Sequence, residues 1–462
     1  MSFKHQVIRG SAYMSFRLLA GAIIGIVGIS LLTRFIGPAN YGVFVAAHAI
    51  LVYLITITEC GIGVYLIRLN RDEPEKFHQA LTLLLLFSLA GVGLGVVLAP
   101  LLARFYKLHE MQTAVLALTC GIPVVHAVKV PMSRLERELN YKRVAVIELI
   151  GNVAYYVVAL PLGYRGAGVI APLAGWWAQQ LAQLVQVYQT GYRPRLIWKP
   201  VLMRQMLSFG VPYSMSQIVL ALRDLVNPLV VGRLLGAAAV GYIALALRIV
   251  QQLSFVRTAT TRISVAAFAR VEGDPVRLAR AITEGMYLQI LALGPLLCGL
   301  SFIAPLVVPV VFGPRWAPVS QVYPWLGVVA LVSAMFQLHV SGLTVFGLNT
   351  KQTIVHLVRL VILSALTVIL VLRYGPPGYG MADLVSLPVF CLLLHIWISA
   401  RTAPIQYAPA AVWLIAFSVP LFADTLGKAA WLALLIPLFW SRTRGQLIGL
   451  TNFLRSPAPV AR

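Results

Sequence analysis

The chain has 462 residues, of which 60% are hydrophobic and only 11% charged, against the roughly 25% of charged residues found in soluble domains. Its net charge is +23, from 37 Lys and Arg against 14 Asp and Glu, and its mean hydropathy is +0.85. Such a chain cannot clothe itself in a water-solvated surface, which excludes a soluble globular protein and predicts an all-α polytopic membrane protein.

In chain order, apolar runs able to cross a hydrocarbon core of about 30 Å are predicted at 12–33, 43–67, 79–103, 112–132, 144–163, 167–189, 207–232, 239–265, 283–312, 319–345, 353–373, 378–400, 408–424 and 428–441. The last two are short, so the expectation is twelve to fourteen transmembrane helices, the final pair forming a C-terminal helical hairpin. The runs divide the chain into an N-terminal six-helix lobe at 1–192, a cytoplasmic linker at 193–206, a C-terminal six-helix lobe at 207–402, and the hairpin with a cytoplasmic tail at 403–462. No polar gap has room for a soluble domain. The first 30 residues have the basic start and apolar run of a signal peptide, but their counterpart in the second half argues for a retained helix.

With the N-terminus placed inside, 22 Lys and Arg fall in inner loops and termini and eight in outer ones. This bias predicts that both termini are cytoplasmic and that the number of spans is even. Topology and contact with anionic membrane lipids account for most of the net charge, so nucleic acid is not an expected partner. Seven cations remain inside the spans: Arg17, Lys129, Arg223, Arg248, Arg257, Arg262 and Arg359.

Two stretches, "LLTRFIGPANYGVF" at 31–44 and "VVGRLLGAAAVGYI" at 230–243, match at an offset of 199: Arg34 with Arg233, Gly37 with Gly236, Ala39 with Ala238, and Gly42 with Gly241. At the same offset "RDE" at 71–73 meets "RVE" at 270–272. Six spans per repeat keep the orientation, so the halves are expected to be parallel. The glycines permit a tight reversal, and the arginines at the helix ends can cap carbonyls or reach headgroups.

Together with "ECGIGVYLIR" at 59–68, the first stretch resembles the start of bacterial polysaccharide-export flippases, the Wzx-like O-antigen and exopolysaccharide transporters. "FGVPYSMSQIV" at 209–219, with the second stretch, resembles the start of their second half. These proteins belong to a superfamily that includes MATE antiporters and lipid II flippases. The resemblance implies two six-helix lobes around a central cavity and alternating access. It also implies transfer of a polyprenyl-pyrophosphate-linked oligosaccharide across the bacterial cytoplasmic (inner) membrane, without bond chemistry. A polysaccharide polymerase and a chain-length regulator are candidate partners. One departure stands out. The family often carries Asp six residues before the second arginine, where this chain has Asn227, with Asp224 nearby.

A charge at mid-membrane costs at least about 2.5–3.5 kcal/mol, so the intramembrane cations are expected to face a wet cavity or to pair. An excess of cations over acids suits an anionic cargo, and arginine grips phosphate bidentately. Arg17, Lys129, Arg223, Arg248 and Arg359 are the candidate contacts for pyrophosphate or anionic sugar; pairing across helices is the alternative for each. Arg257 and Arg262 are expected to snorkel to the interface. Glu59, Asp224 and Glu148 are candidates for ion coupling or for charge pairing. Trp176, Trp177, Gln180 and Gln183 are candidate sugar contacts, with an aromatic belt and interhelical amide bonds as the alternative. The four cysteines and the lone histidines of the spans, among them His126, His339 and His395, read as packing residues, with no metal spacing. No cofactor is expected, and a proton or sodium gradient is the candidate energy source. A MATE-like antiporter of small molecules and a membrane-embedded polymerase are the rival readings; excess cations disfavour the first and short loops the second.

Overall fold

The computed structural model describes residues 3–69, 73–254, 264, 268 and 273–446, without the side chains of 3–20, 22, 23 and 216. Each of the fourteen predicted spans coincides with helical backbone, the run at 239–265 as far as Leu253. Among the described residues, nine helices are long and apolar enough to cross a membrane. The protein is a multi-pass membrane protein. The smaller number has physical causes. The helix Phe3–Glu59 holds two predicted spans on either side of a kink at Gly37, and glutamines dilute the apolar run of Ile170–Tyr188.

The chain forms two compact units, Met1–Ala244 with Pro309–Trp316, and Leu245–Val308 with Ala317–Arg462. In the first, the two repeated bends adopt the same backbone. Gly37 sits at φ 76°, ψ 171° and Gly236 at φ 84°, ψ 177°, a region essentially reserved for glycine. The bends also pack on one another reciprocally. A Cβ at Gly42 would strike the carbonyl of Ala237, and one at Gly241 would strike the carbonyl of Pro38. Their arginines each close the end of another helix. Arg34 donates to the Val310 carbonyl at 2.8 Å, and Arg233 donates to the Phe105 carbonyl at 2.8 Å. Both acceptors lie in the last turn of a helix, where carbonyls lack intrahelical partners. Trp316 adds a further tie, its indole N–H donating to the Thr33 carbonyl at 3.1 Å.

In the second unit the helices Pro275–Val311, Val319–Val345, Asn349–Tyr374 and Pro377–Ser399 support a C-terminal hairpin. The Cys298 thiol donates to the Phe417 carbonyl and the Ser301 hydroxyl to the Leu421 carbonyl. At the start of the hairpin the Tyr407 hydroxyl bridges His339 Nε2 at 2.7 Å and His395 Nδ1 at 2.8 Å. The second arm, Lys428–Phe439, is a 3₁₀ helix of 12 residues. At about 2.0 Å rise per residue it reaches roughly 24 Å, farther than an α-helix of equal length.

Candidate functional site

A partly open intramembrane charge pair in the first unit grows out of the "ECGIG" stretch. Glu59 ends its helix, and Cys60 and Gly61 then take positive φ, 45° and 64°, before the short helix Ile62–Ile67 resumes the run. A carboxylate at a helix C-terminus faces the negative end of the macrodipole, so it calls for a cation. Lys129 supplies one from the helix Ile122–Arg137, its Nζ 3.2 Å from Glu59 Oε1. The absent side chain of Gly63 leaves the space that Lys129 and Glu59 fill. Despite lying in predicted spans, Lys129 is 41% and Glu59 22% exposed.

One turn before Lys129, His126 is buried, with Nε2 3.2 Å from the Thr58 hydroxyl. Its Nδ1 has no hydrogen-bond partner among the described residues. Thr58 and Glu59 thus meet His126 and Lys129, two neighbours on one helix against two positions three apart on the other. As a lone histidine in an apolar span, His126 is expected to be a packing residue; its three-residue spacing from Lys129, which puts both on one helix face, is the signal that links them.

The other intramembrane charges are arranged differently. Arg359 and Asp383 form an ion pair at 2.8 Å inside the second unit, only 3% and 1% exposed. The guanidinium also lies 4.8 Å from the centre of the Phe390 ring. Its charge is therefore matched between two adjacent helices. Arg223 is half-buried in the last turn of Pro200–Asp224, Asp224 is exposed beside it, Glu148 is half-buried, and Arg248 is exposed on Ala237–Leu253. The side chains of Arg17, Arg257 and Arg262 lie outside the described residues.

Asn227 opens a π-helical turn, Asn227–Val231. Such turns are frequent at functional sites. The side chain is buried, donates weakly to the Val240 carbonyl at 3.4 Å, and its Oδ1 lacks a partner among the described residues. Trp176 is buried at 4% exposure, and Trp177 donates to the Ala117 carbonyl at 2.9 Å. Gln183 packs on Gly151, Gln179 bonds Asn152 at 3.3 Å, and Gln180 is half-buried. Both indoles are thus engaged in packing and interhelical contact.

Among the described residues, helices joined by short connections, with ion pairs held within the spans, define a multi-pass α-helical membrane fold. The lipid II flippase MurJ, solved in an inward closed conformation, shares it with a TM-score of 0.74 over 97% of this chain and 100% of that one, at 13% identity. The chain belongs to the family described as polysaccharide biosynthesis protein, which matches it over residues 31–321. It is 25% identical over 347 residues to the teichuronic acid biosynthesis protein TuaB of Bacillus subtilis (strain 168), covering 72% of this chain and 69% of that one. It is 26% identical over 311 residues to the succinoglycan biosynthesis transport protein ExoT of Rhizobium meliloti (strain 1021), covering 66% and 62%.

Proposed function

We propose that the protein is a flippase, not an enzyme, and that it moves a polyprenyl-pyrophosphate-linked oligosaccharide across the bacterial cytoplasmic membrane for surface or exopolysaccharide assembly. The observation that carries the reading is the family match over residues 31–321 on a chain built of membrane helices. In this reading both termini are cytoplasmic, as the charge count favours, and a polymerase and chain-length regulator receive the product.

Lys129 is the leading candidate to meet a headgroup in this reading. It is partly exposed, and its ammonium has three donors, of which Glu59 needs only part. A phosphate arriving at Lys129 would compete with Glu59 for it, so binding cargo and freeing the carboxylate would be linked. A carboxylate freed in this way can take up a proton or bind sodium, which would couple transport to a gradient. Arg17, Arg223 and Arg248 are further proposed contacts. Arg359 would have to leave Asp383 to join them, and breaking so buried a pair is costly.

The test is transfer of a fluorescent polyprenyl-pyrophosphate oligosaccharide between leaflets of proteoliposomes, with and without a proton or sodium gradient. Protein-dependent transfer that falls at least tenfold in Lys129→Gln is expected. No transfer above protein-free vesicles would overturn the reading.

A further inference from the structure

Away from these charge pairs, the first unit holds a basic recess between the helices Ile122–Arg137, Tyr141–Tyr164 and Ile170–Tyr188. Two adjoining cavities, of about 340 and 280 Å³, share Arg143 and Thr190. Lys142 lines the first and Arg134 the second. Arg134 is held by Glu138 at 2.7 Å and lies 4.3 Å from the centre of the Tyr192 ring. The Arg143 side chain makes no hydrogen bond or ion pair among the described residues and faces both cavities.

Lys142 and Arg143 also stand in the first turn of Tyr141–Tyr164, which contains no acid. Cations there oppose the positive end of the helix dipole, where an anion is favoured. Such a placement is stabilised when a negative group enters the recess. Topology alone asks only for basic residues at this end of the helices; it does not ask for cavities that three of them line.

The surface that leads away from the recess is apolar. Val146 lines the first cavity and begins an exposed stripe of Val146, Ile150, Val153 and Val157, 37–64% exposed, along one face of Tyr141–Tyr164. From Gln189, which lines the same cavity, Val185 and Leu181 continue at four-residue steps and are also exposed. A free phosphate would use the cations and leave both stripes idle. A lipid uses all of them.

We infer that this recess is a binding site for an anionic phospholipid, its phosphate held by Arg143 and Lys142 and its acyl chains laid along the Val146–Val157 and Leu181–Val185 stripes. Basic pockets between membrane helices are a general means of holding such headgroups. The inference does not depend on the transport reading, because it concerns a resident lipid of the bilayer and not the cargo.

Native mass spectrometry of the full chain, released from detergent with phosphatidylglycerol or phosphatidylcholine, tests it. Wild-type protein is expected to retain phosphatidylglycerol in preference to phosphatidylcholine. The double variant Lys142→Gln/Arg143→Gln should lose at least tenfold of that retention. The control Arg193→Gln/Arg195→Gln removes the same charge nearby and should keep it. Equal loss in both double variants, or no preference in the wild type, would overturn the site. So would displacement of phosphatidylglycerol by equimolar polyprenyl diphosphate or by inorganic phosphate, since either would assign the recess to a different ligand.

Discussion

Two ion pairs inside the membrane spans solve the same electrostatic problem in opposite ways. Arg359–Asp383 is sealed between two adjacent helices, at 2.8 Å and under 5% exposure on either side. Glu59–Lys129 is longer, at 3.2 Å, partly exposed, and sits on a broken helix whose Cys60 has positive φ. A sealed pair is hard to open because each partner is left as an uncompensated charge. A part-open pair on an interrupted helix can exchange its partner for an incoming ion. The contrast separates a pair sealed between two helices from the one that the proposed function assigns to cargo or coupling.

Removing one half of the sealed pair should have the greatest effect on stability. Asp383→Ala should lower stability by about 3–5 kcal/mol, read as thermal unfolding of the detergent-purified protein. The joint replacement Arg359→Met/Asp383→Leu should recover most of that loss. A single variant as stable as wild type would remove the distinction between the pairs. Next in size is the contact between the repeated bends, where Gly42→Val would drive a side chain into the Ala237 carbonyl and cost about 1–3 kcal/mol by overpacking. The same unfolding assay reads it, and Gly241→Val should behave alike if the two bends are structural equivalents.

Tyr407→Phe leaves His339 and His395 without their shared hydroxyl and should cost about 1–3 kcal/mol, seen in the same assay and in faster proteolysis at the C-terminal hairpin. The smallest stability effect belongs to the open pair. Lys129→Gln should cost less stability than Asp383→Ala, because both partners of the open pair are partly exposed, while impairing transport most. A large stability loss with transport preserved would make Glu59–Lys129 a structural pair like the other.

Much of this was legible in the sequence, for identifiable reasons. Spans are set by runs of about 20 apolar residues, so their positions follow from composition alone. The bends were legible because glycine at Gly37 and Gly236 answers a backbone conformation that other residues avoid. Pairing was not. Glu59 and Lys129 are 70 residues apart, and nothing in periodicity distinguishes Lys129 from Arg223 or Arg248 as a partner. Arg359 and Asp383 lie 24 residues apart, and no spacing rule shows that the guanidinium reaches that carboxylate. The two tryptophans show the same limit: Trp177 reaches the Ala117 carbonyl through helix packing that their spacing does not encode. The basic recess was hidden for another reason. Lys142 and Arg143 read as topology signals until the cavities and apolar stripes beside them are in view.

The most direct test of the central claim is leaflet transfer of a labelled polyprenyl-pyrophosphate oligosaccharide in proteoliposomes containing wild-type protein, Lys129→Gln, or Arg359→Met/Asp383→Leu. Wild type and the double variant are expected to transfer the label, and Lys129→Gln to transfer at least tenfold less. Transfer unaffected by Lys129→Gln but abolished in a folded double variant would contradict the assignment of the open pair, and no transfer by any of the three would contradict the flippase reading itself.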